Sequence, residues 1–405
     1  MRKLNVNLLS FAVVTAAAGY SATAAADSFS EALKGGTTSG DFRLRYESVD
    51  QDNARDDASA LTLRSRIGYT TGPVSGFSAT MEFEDSRIVA GQDEFSVDPT
   101  GFHPGEYSVI ADPETTELDQ GFLKYSSDTF TAKLGRQVIT YDGHRFVGHV
   151  GWRQDRQTFD GLTLTFTPVA DLALNYGYIE QRNRIFAEAA DVDSKDHFFN
   201  ASYKTPVGTL VGYAYLLEVD SDTDNALDTY GVSFNGSTKA GDIGILYSAE
   251  FATQSSESGD SDFDADYMLL EGGVNVGVVT AKLGYESLGS DGGDYGFSTP
   301  LATLHKFNGW SDQFLGTPKE GLTDLYVLVS AKVGPGSLTA VWHDFEADDS
   351  SDTVDDLGSE LDVSYGFKFG GSYNAGIKYA AYSAGDDGAG KVDTDKLWVW
   401  LGASF

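Results

Sequence analysis

Beyond about residue 40, apolar and polar residues alternate along the chain with a period of two. Phe42 and Leu44, for example, are apolar and flank the polar Arg43. Because successive side chains of a β-strand point to opposite faces, this pattern predicts strands with one apolar face. Eighteen such segments follow one another, from 41–48 to 395–405. Many have a length near the roughly 9–11 residues that a tilted membrane strand needs.

The connections between these segments are alternately short and long. Short turns such as 127–129 and 334–336 alternate with long loops. The predicted long loops include 49–59, 85–116, 137–158, 180–195, 252–263, 287–320 and 346–357. This asymmetry is typical of outer-membrane barrels, whereas a soluble sandwich or propeller does not require it. The predicted fold class is therefore all-β: a transmembrane antiparallel β-barrel of about 18 strands, with short periplasmic turns and long extracellular loops.

The N-terminal segment has the features of an export signal. Arg2 and Lys3 are followed by a short apolar stretch and then by small residues that end at Ala26. This order predicts a signal peptide at residues 1–26, the alternatives being an uncleaved helix or an amphipathic tail. We expect residues 27–405 to form a single outer-membrane β-barrel domain.

The last strand ends on an aromatic residue, Phe405, with Leu397, Val399 and Leu401 on the same face. A terminal strand of this kind resembles the signal that the bacterial barrel-assembly machinery reads. We therefore expect this machinery to be a partner, together with the lipid and lipopolysaccharide of a Gram-negative outer membrane.

Composition excludes several classes of function. The chain has 405 residues, no cysteine and a formal net charge of -33. The absence of cysteine excludes disulfide scaffolds, cysteine-based zinc sites and thiol nucleophiles. The acidic balance argues against nucleic-acid binding, which needs a basic surface. No catalytic set or phosphate-binding loop is recognisable, so we predict no enzyme activity, no cofactor and no metal site.

One acidic stretch, Asp220–Asp224, has alternating carboxylates that could hold Ca²⁺. It lacks the glycine and the terminal glutamate of an EF-hand loop. We interpret it as a solvated loop.

Parity along the strands predicts which cations face the lumen. If Phe42 and Leu44 face lipid, Arg43 faces water inside the barrel. Two interpretations follow: a basic track for anionic or sugar-like solutes, or salt bridges with nearby carboxylates such as Glu47 that only keep the lumen hydrated and rigid. The predicted lumen cations are Arg43, Arg45, Arg64, Arg66, Lys124 and Lys133.

Two long loops carry a family resemblance. One contains Gly135-Arg136-Gln137, Arg145-Phe146-Val147-Gly148, Trp152-Arg153-Gln154 and Gln157-Thr158-Phe159-Asp160-Gly161, and the other contains Phe307-Asn308-Gly309-Trp310-Ser311-Asp312-Gln313-Phe314-Leu315. The chain thereby resembles the alginate export family of outer-membrane porins, which have 18-stranded barrels. The resemblance implies that such loops fold toward the pore. It also implies a basic constriction from Arg136, Arg145, Arg153 and Arg156, and flat faces for sugar rings from Trp152 and Trp310.

The sequence thus predicts an outer-membrane porin. Passive diffusion of small hydrophilic solutes, anionic or saccharide-like, is the leading hypothesis. A dedicated channel for alginate or another anionic polysaccharide is one alternative, although the short periplasmic turns favour a porin. A surface receptor or adhesin with a closed lumen is another.

Overall fold

The computed structural model describes residues 22–405. It begins with helix α1 (Ala22–Lys34), so most of the predicted signal peptide lies outside the described residues. None of the helices in the described part of the chain is long and apolar enough to cross a membrane.

Twenty strands follow helix α1. They are β1 (Thr37–Gln51), β2 (Ala58–Thr70), β3 (Phe77–Glu94), β4 (Thr115–Ser126), β5 (Phe130–Gln137), β6 (Thr158–Val169), β7 (Leu172–Asn183), β8 (Val192–Thr205), β9 (Gly208–Leu217), β10 (Asn225–Ala240), β11 (Ile243–Ser258), β12 (Ser261–Val276), β13 (Val279–Leu288), β14 (Ser290–Asp291), β15 (Tyr295–Gly296), β16 (Leu322–Val333), β17 (Gly336–Ser351), β18 (Val354–Phe369), β19 (Tyr373–Ser383) and β20 (Thr394–Ser404).

Eighteen of these strands form one closed antiparallel sheet. Each strand pairs with its neighbours in sequence, and β1 closes the barrel by pairing with β20, from Asp41 opposite Ser404 to Gln51 opposite Thr394. Closure leaves no strand edge in lipid, where an unpaired backbone group would cost several kcal/mol. The two-residue strands β14 and β15 form a separate hairpin. The prediction of an 18-stranded antiparallel barrel is confirmed.

Two of the predicted long loops are wrong. The acidic segments 252–263 and 346–357 form the outer ends of two hairpins, in which β11 pairs with β12 as far as Ser258 and Ser261, and β17 pairs with β18 as far as Ser351 and Val354. The apolar alternation ends where the strands leave the membrane, but antiparallel hydrogen bonding continues without it. Polar strands that project into water were therefore mistaken for loops.

Glycine-containing turns connect strands on the short-turn side of the barrel. Gly241 and Gly277 adopt left-handed backbone conformations with φ of 64° and 60°, which lets two-residue connections join β10 to β11 and β12 to β13. The first residues of β1 pair with the last residues of β20 on the same side.

Two long connections fold into the barrel. The first inward loop (residues 138–157) joins β5 to β6, and the second inward loop (residues 289–321) lies between β13 and β16. They meet where the amide of Gly148 donates to the carbonyl of Leu301 at 2.8 Å. Val147 and Leu301 are almost fully buried in a core that also includes Tyr267 from the wall. The lumen therefore contains a packed hydrophobic core.

Deleting Phe405 is expected to reduce the yield of folded barrel. Phe405 exchanges two backbone hydrogen bonds with Gly40, at 3.0 and 3.1 Å, and its ring stacks on Phe42. Each lost bond removes about 0.5–1.5 kcal/mol from the seam of the barrel. The fraction of heat-modifiable protein in outer membranes measures the effect. The matched variant Phe405→Tyr keeps the bonds and the ring and should assemble normally; equal loss in both variants would contradict the seam argument.

Candidate functional site

The arginines of β1 hold the first inward loop against the barrel wall. Arg43 donates to the carbonyl oxygens of Trp152 at 2.6 Å and Arg153 at 2.7 Å. Arg45 is fully buried, donates to the same Trp152 carbonyl and forms an ion pair with Asp112. Both side chains point into the barrel, as parity predicted, but they contact the loop rather than an open channel.

The arginines of β2 are also buried and paired. Arg64 forms an ion pair with Asp41, and Arg66 forms one with Glu84. Their exposed fractions are only 6% and 7%. Arg45, Arg64 and Arg66 therefore form the salt bridges of the second interpretation, whereas Arg43 binds the first inward loop through hydrogen bonds.

Arg153 connects the first inward loop to both the wall and the second inward loop. It donates to both carboxylate oxygens of Glu47 at 3.0 Å and to Asp312 at 2.9 Å. Burial opposes the charged guanidinium, but the carboxylates of Glu47, Asp312 and Asp112 outweigh burial and raise the pKa of Arg153. The cation is therefore retained inside the barrel, where it joins three parts of the chain.

The other two loop arginines also bind carboxylates. Arg156 donates through Nε to Asp119 at 2.9 Å. Arg145, at the other end of the loop, donates to Glu286 at 2.7 Å and lies 4.8 Å from the centre of the Phe307 ring. Both side chains fix the first inward loop to opposite sides of the barrel.

Arg136 does not belong to this group. It shares its face of β5 with Leu134, whose side chain is exposed on the outside of the barrel, and it binds its cross-strand partner Asp160 at 2.8 and 2.9 Å. The side-chain period of two places Arg136 on the opposite face from the buried Gln137. The structure thus separates Arg136 from the constriction that the resemblance implied.

Lys124 and Lys133 are also apart from the arginines. They face each other across β4 and β5, close to the short turn 127–129. The ammonium of Lys133 lies 5.1 Å from the centre of the Phe122 ring. These two lysines contribute positive charge to the periplasmic end of the lumen.

The two predicted sugar-stacking tryptophans have different surroundings. Trp152 stacks in parallel on His305 with ring centres 4.9 Å apart, so that face is occupied by protein. Trp310 lies below the ammonium of Lys378, 3.7 Å from the ring centre, and lines a cavity. Of the two tryptophans, Trp310 is the one that lines this cavity.

An open cavity of about 460 Å³ lies between the inward loops and the wall formed by β10 to β17. Ion pairs of Arg145 with Glu286 and of Lys282 with Glu271 neutralise part of its lining. The exposed ammonium of Lys306 instead donates to a backbone carbonyl, that of Gly143, at 2.7 Å. The lining residues include Tyr141, Asp142, Arg145, Phe146, Tyr215, Ser248, Glu250, Tyr267, Glu271, Lys282, Glu286, Lys306, Phe307, Trp310, Asp324, Tyr326 and His343.

The polar groups on this side of the barrel are not among the lumen residues predicted from the sequence. Glu250 and Glu286 lie on strands of the second half, with their side chains in the lumen. The signal was present, because Glu250 stands between the apolar Ala249 and Phe251 in an alternating segment. No sequence pattern identifies Asp112, because it lies in an irregular loop far from Arg45 in sequence. The two residues contact each other only in the folded barrel.

Two histidines in the inward loops are neutral. Burial lowers the pKa of His149 to about 4 and that of His305 to about 3. His305 contacts Asp312 through Nδ1 at 2.6 Å and accepts from Lys378 through Nε2 at 2.8 Å. This network fits a ring that carries its single proton on Nδ1.

Replacing Arg153 by methionine is expected to release the first inward loop. The change leaves Glu47 and Asp312 without this partner, and breaking a buried ion pair costs about 3–5 kcal/mol. Thermal unfolding and protease cleavage within residues 138–157 measure the effect. The control Arg55→Met breaks an exposed pair with Asp98 and should change little; equal effects of the two variants would contradict the role of Arg153.

The loops should become less stable as the pH falls from about 6.5 to about 4. The folded state holds His149 at a pKa of about 4, below its ordinary value, so the unfolded state binds more protons in this range. His149→Asn keeps an acceptor for the amide of Gly151 and removes the titration. Its unfolding temperature should fall less between pH 7 and pH 4.5 than that of the wild type. His103→Asn, in the loop between β3 and β4, is the control, and it should behave like the wild type.

Comparison with known proteins supports the fold. A family model described as Alginate export matches residues 37–302. A search of curated protein sequences gave no significant match. Among solved structures, OccK9 (OpdG) of Pseudomonas aeruginosa is 14% identical, with 92% of this chain and 99% of that chain covered and a TM-score of 0.73. OccAB1 of Acinetobacter baumannii is 14% identical, with 92% and 97% covered and a TM-score of 0.73.

A further match is OpdK of Pseudomonas aeruginosa, solved with vanillate. It is 14% identical, with 91% of this chain and 98% of that chain covered and a TM-score of 0.68. The family model covers more than half of the chain, and the solved structures share its fold over nearly their whole length. The chain therefore belongs to the alginate export family, as a β-barrel of the Gram-negative outer membrane with the fold of the porins.

Proposed function

We propose that the protein lets small hydrophilic solutes, saccharide-like or anionic, diffuse passively across the outer membrane. The observation that carries this proposal is the cavity of about 460 Å³ inside the barrel. Its volume lies within the range of about 300–1,000 Å³ that is typical of small-molecule sites. It extends from Asp142 and Lys306 on the inward loops to Asn235 and Leu328, which lie nearer the short turns.

The lining of the cavity suits saccharide-like solutes. Trp310, Tyr326 and Phe307 contribute aromatic surface, and Glu250 and Lys306 contribute hydrogen-bonding groups. Sugars present apolar ring faces together with many hydroxyl groups, so they match a surface that alternates aromatic and polar side chains. This mixed lining supports the saccharide half of the proposal.

Anionic solutes are supported by two observations. The ammonium of Lys306 is exposed and forms no ion pair with a carboxylate in the described part of the chain. The structure of OpdK, which has a similar barrel, was solved with vanillate, an aromatic carboxylate. A solute with one carboxylate and a ring would match both the cation and the aromatic surface of the cavity.

We further propose that the arginines of β1 and β2 support the constriction and do not form a basic track. Arg43 and Arg45 bind the first inward loop, and Arg64 is buried against Asp41. A solute on that side would have to displace the loop and break several buried ion pairs. The proposed path therefore follows the wall from β10 to β17.

A receptor with a closed lumen is the second candidate. The packed core between the inward loops, which includes Val147, Phe297 and Leu301, fills part of the lumen. A dedicated polysaccharide channel would need a wider continuous path beside this core. Both alternatives differ from the proposal in the conductance that they predict.

Lys306→Glu is expected to shift the ion selectivity of the channel toward cations. The change reverses the charge of an exposed side chain on the cavity, whereas Arg64→Met removes a buried charge from the opposite wall. Reversal potentials in planar bilayers under a salt gradient measure the effect. Lys319→Glu, on an exposed part of the second inward loop, is the matched control.

The expected order of effects is a clear shift for Lys306→Glu and small shifts for Arg64→Met and Lys319→Glu. A larger shift for Arg64→Met would place the path along the arginines and overturn the proposed route. The absence of any conductance from purified wild-type protein would overturn the channel proposal itself and favour the closed receptor.

A further inference from the structure

Three carboxylates converge beneath the first inward loop. Glu84 on β3 and Glu117 on β4 face each other as cross-strand partners, and Asp155 reaches them from the loop. One oxygen of each residue lies within 4.8 Å of the other two. Glu84 and Asp155 are each only 1% exposed.

Among the described residues, a protein cation pairs with only one of these three carboxylates. Arg66 pairs with Glu84, but neither Glu117 nor Asp155 forms an ion pair with a lysine or arginine among residues 22–405. The carboxyl groups of Glu117 and Asp155 instead contact each other. Two carboxyl groups in contact at a buried site need a bound cation or a shared proton, because burying an unpaired charge is costly.

Two buried polar atoms on β3 have no hydrogen-bond partner. The Oε1 atom of Glu84 is buried and has no hydrogen-bond partner. Ser86 lies two residues along β3 on the same face, is 1% exposed, and its hydroxyl also has no partner. Buried polar atoms normally have a partner. A cation that binds oxygen atoms would therefore complete the site.

We propose that Glu84, Glu117 and Asp155 form a calcium site that fastens the first inward loop to the barrel wall. All the donors are oxygens, which hard divalent cations prefer. Ca²⁺ binds several carboxylate oxygens in a flexible geometry, which suits three carboxylates whose oxygens lie within 4.8 Å of one another, whereas Mg²⁺ demands a near-ideal octahedron and usually keeps several waters. After Arg66 has neutralised one of the three carboxylates, the two charges of Ca²⁺ neutralise the others.

The site would join three parts of the chain. Glu84 and Glu117 belong to the wall, Asp155 belongs to the first inward loop, and Oδ2 of Asp155 accepts the amide of Ala187 at 3.3 Å. Ala187 lies in the extracellular connection between β7 and β8. Bound calcium would therefore stabilise the docked loop independently of which solute crosses the barrel.

The test measures calcium in the purified full-length barrel by mass spectrometry after exchange into buffer with trace calcium. Wild type is expected to retain one calcium per chain and to unfold at a higher temperature than after treatment with EGTA. Asp155→Asn keeps an acceptor for Ala187 and should lose both the calcium and the EGTA effect. Glu117→Gln is the second variant, in case Asp155→Asn does not fold.

The matched control is Asp220→Asn, in the exposed acidic loop between β9 and β10, which should keep the calcium of the wild type. Loss of calcium in this control, or equal calcium in wild type and Asp155→Asn, would overturn the site. Wild type that holds no calcium would also overturn it and would indicate a proton shared by Glu117 and Asp155. Stabilisation by Mg²⁺ in preference to Ca²⁺ would overturn the choice of metal.

Discussion

Charge neutralisation inside the barrel determines the form of the lumen. Arg45 and Arg153 are almost completely removed from water, and each is stable there only because carboxylates surround it. Arg153 binds Glu47 on the wall and Asp312 on the second inward loop, while Arg45 binds Asp112. Removing one partner of such a pair leaves a buried charge and costs more than the pair itself contributes. The ion pairs that stabilise the buried arginines therefore also fix the loops in place.

This constraint divides the lumen into two parts. On the side of β1 and β2 the first inward loop covers the arginines, and the parallel stack of Trp152 on His305 continues the packing. On the side of β10 to β17 the wall is lined by Tyr267, Glu250 and other polar or aromatic groups around open space. The charged groups on the first side are thus covered by the loop that they support, whereas the polar and aromatic groups on the second side border the cavity.

Much of the fold could be predicted because it depends on local patterns. Alternation placed Arg43 and Arg64 inside the barrel, and the short turns indicated which side faces the periplasm. The alternation did not predict the outer ends of the hairpins near Ser258 and Ser351. These residues lie beyond the membrane and pair without an apolar face. Arg136 was misplaced because the resemblance grouped it with the loop, although its spacing from Leu134 shows that it faces outward.

The arrangement of the site could be predicted only in part. The cations were identifiable by residue type and parity, but their partners Asp112 and Asp312 come from loops whose paths no local pattern specifies. The same is true of the cluster of Glu84, Glu117 and Asp155, whose members come from two strands and a loop. Whether a lumen cation meets solvent or a covering loop depends on long-range packing.

The most direct test of the divided lumen is chemical accessibility in the conducting barrel. The chain has no cysteine, so single cysteines can be introduced at Ser248, which lines the cavity, and at Thr62, which is buried beneath Gln154. A membrane-impermeant methanethiosulfonate should modify Ser248→Cys rapidly and lower the conductance, while Thr62→Cys stays unmodified. Equal modification at Thr62→Cys would show that the arginine wall is open and would contradict this account.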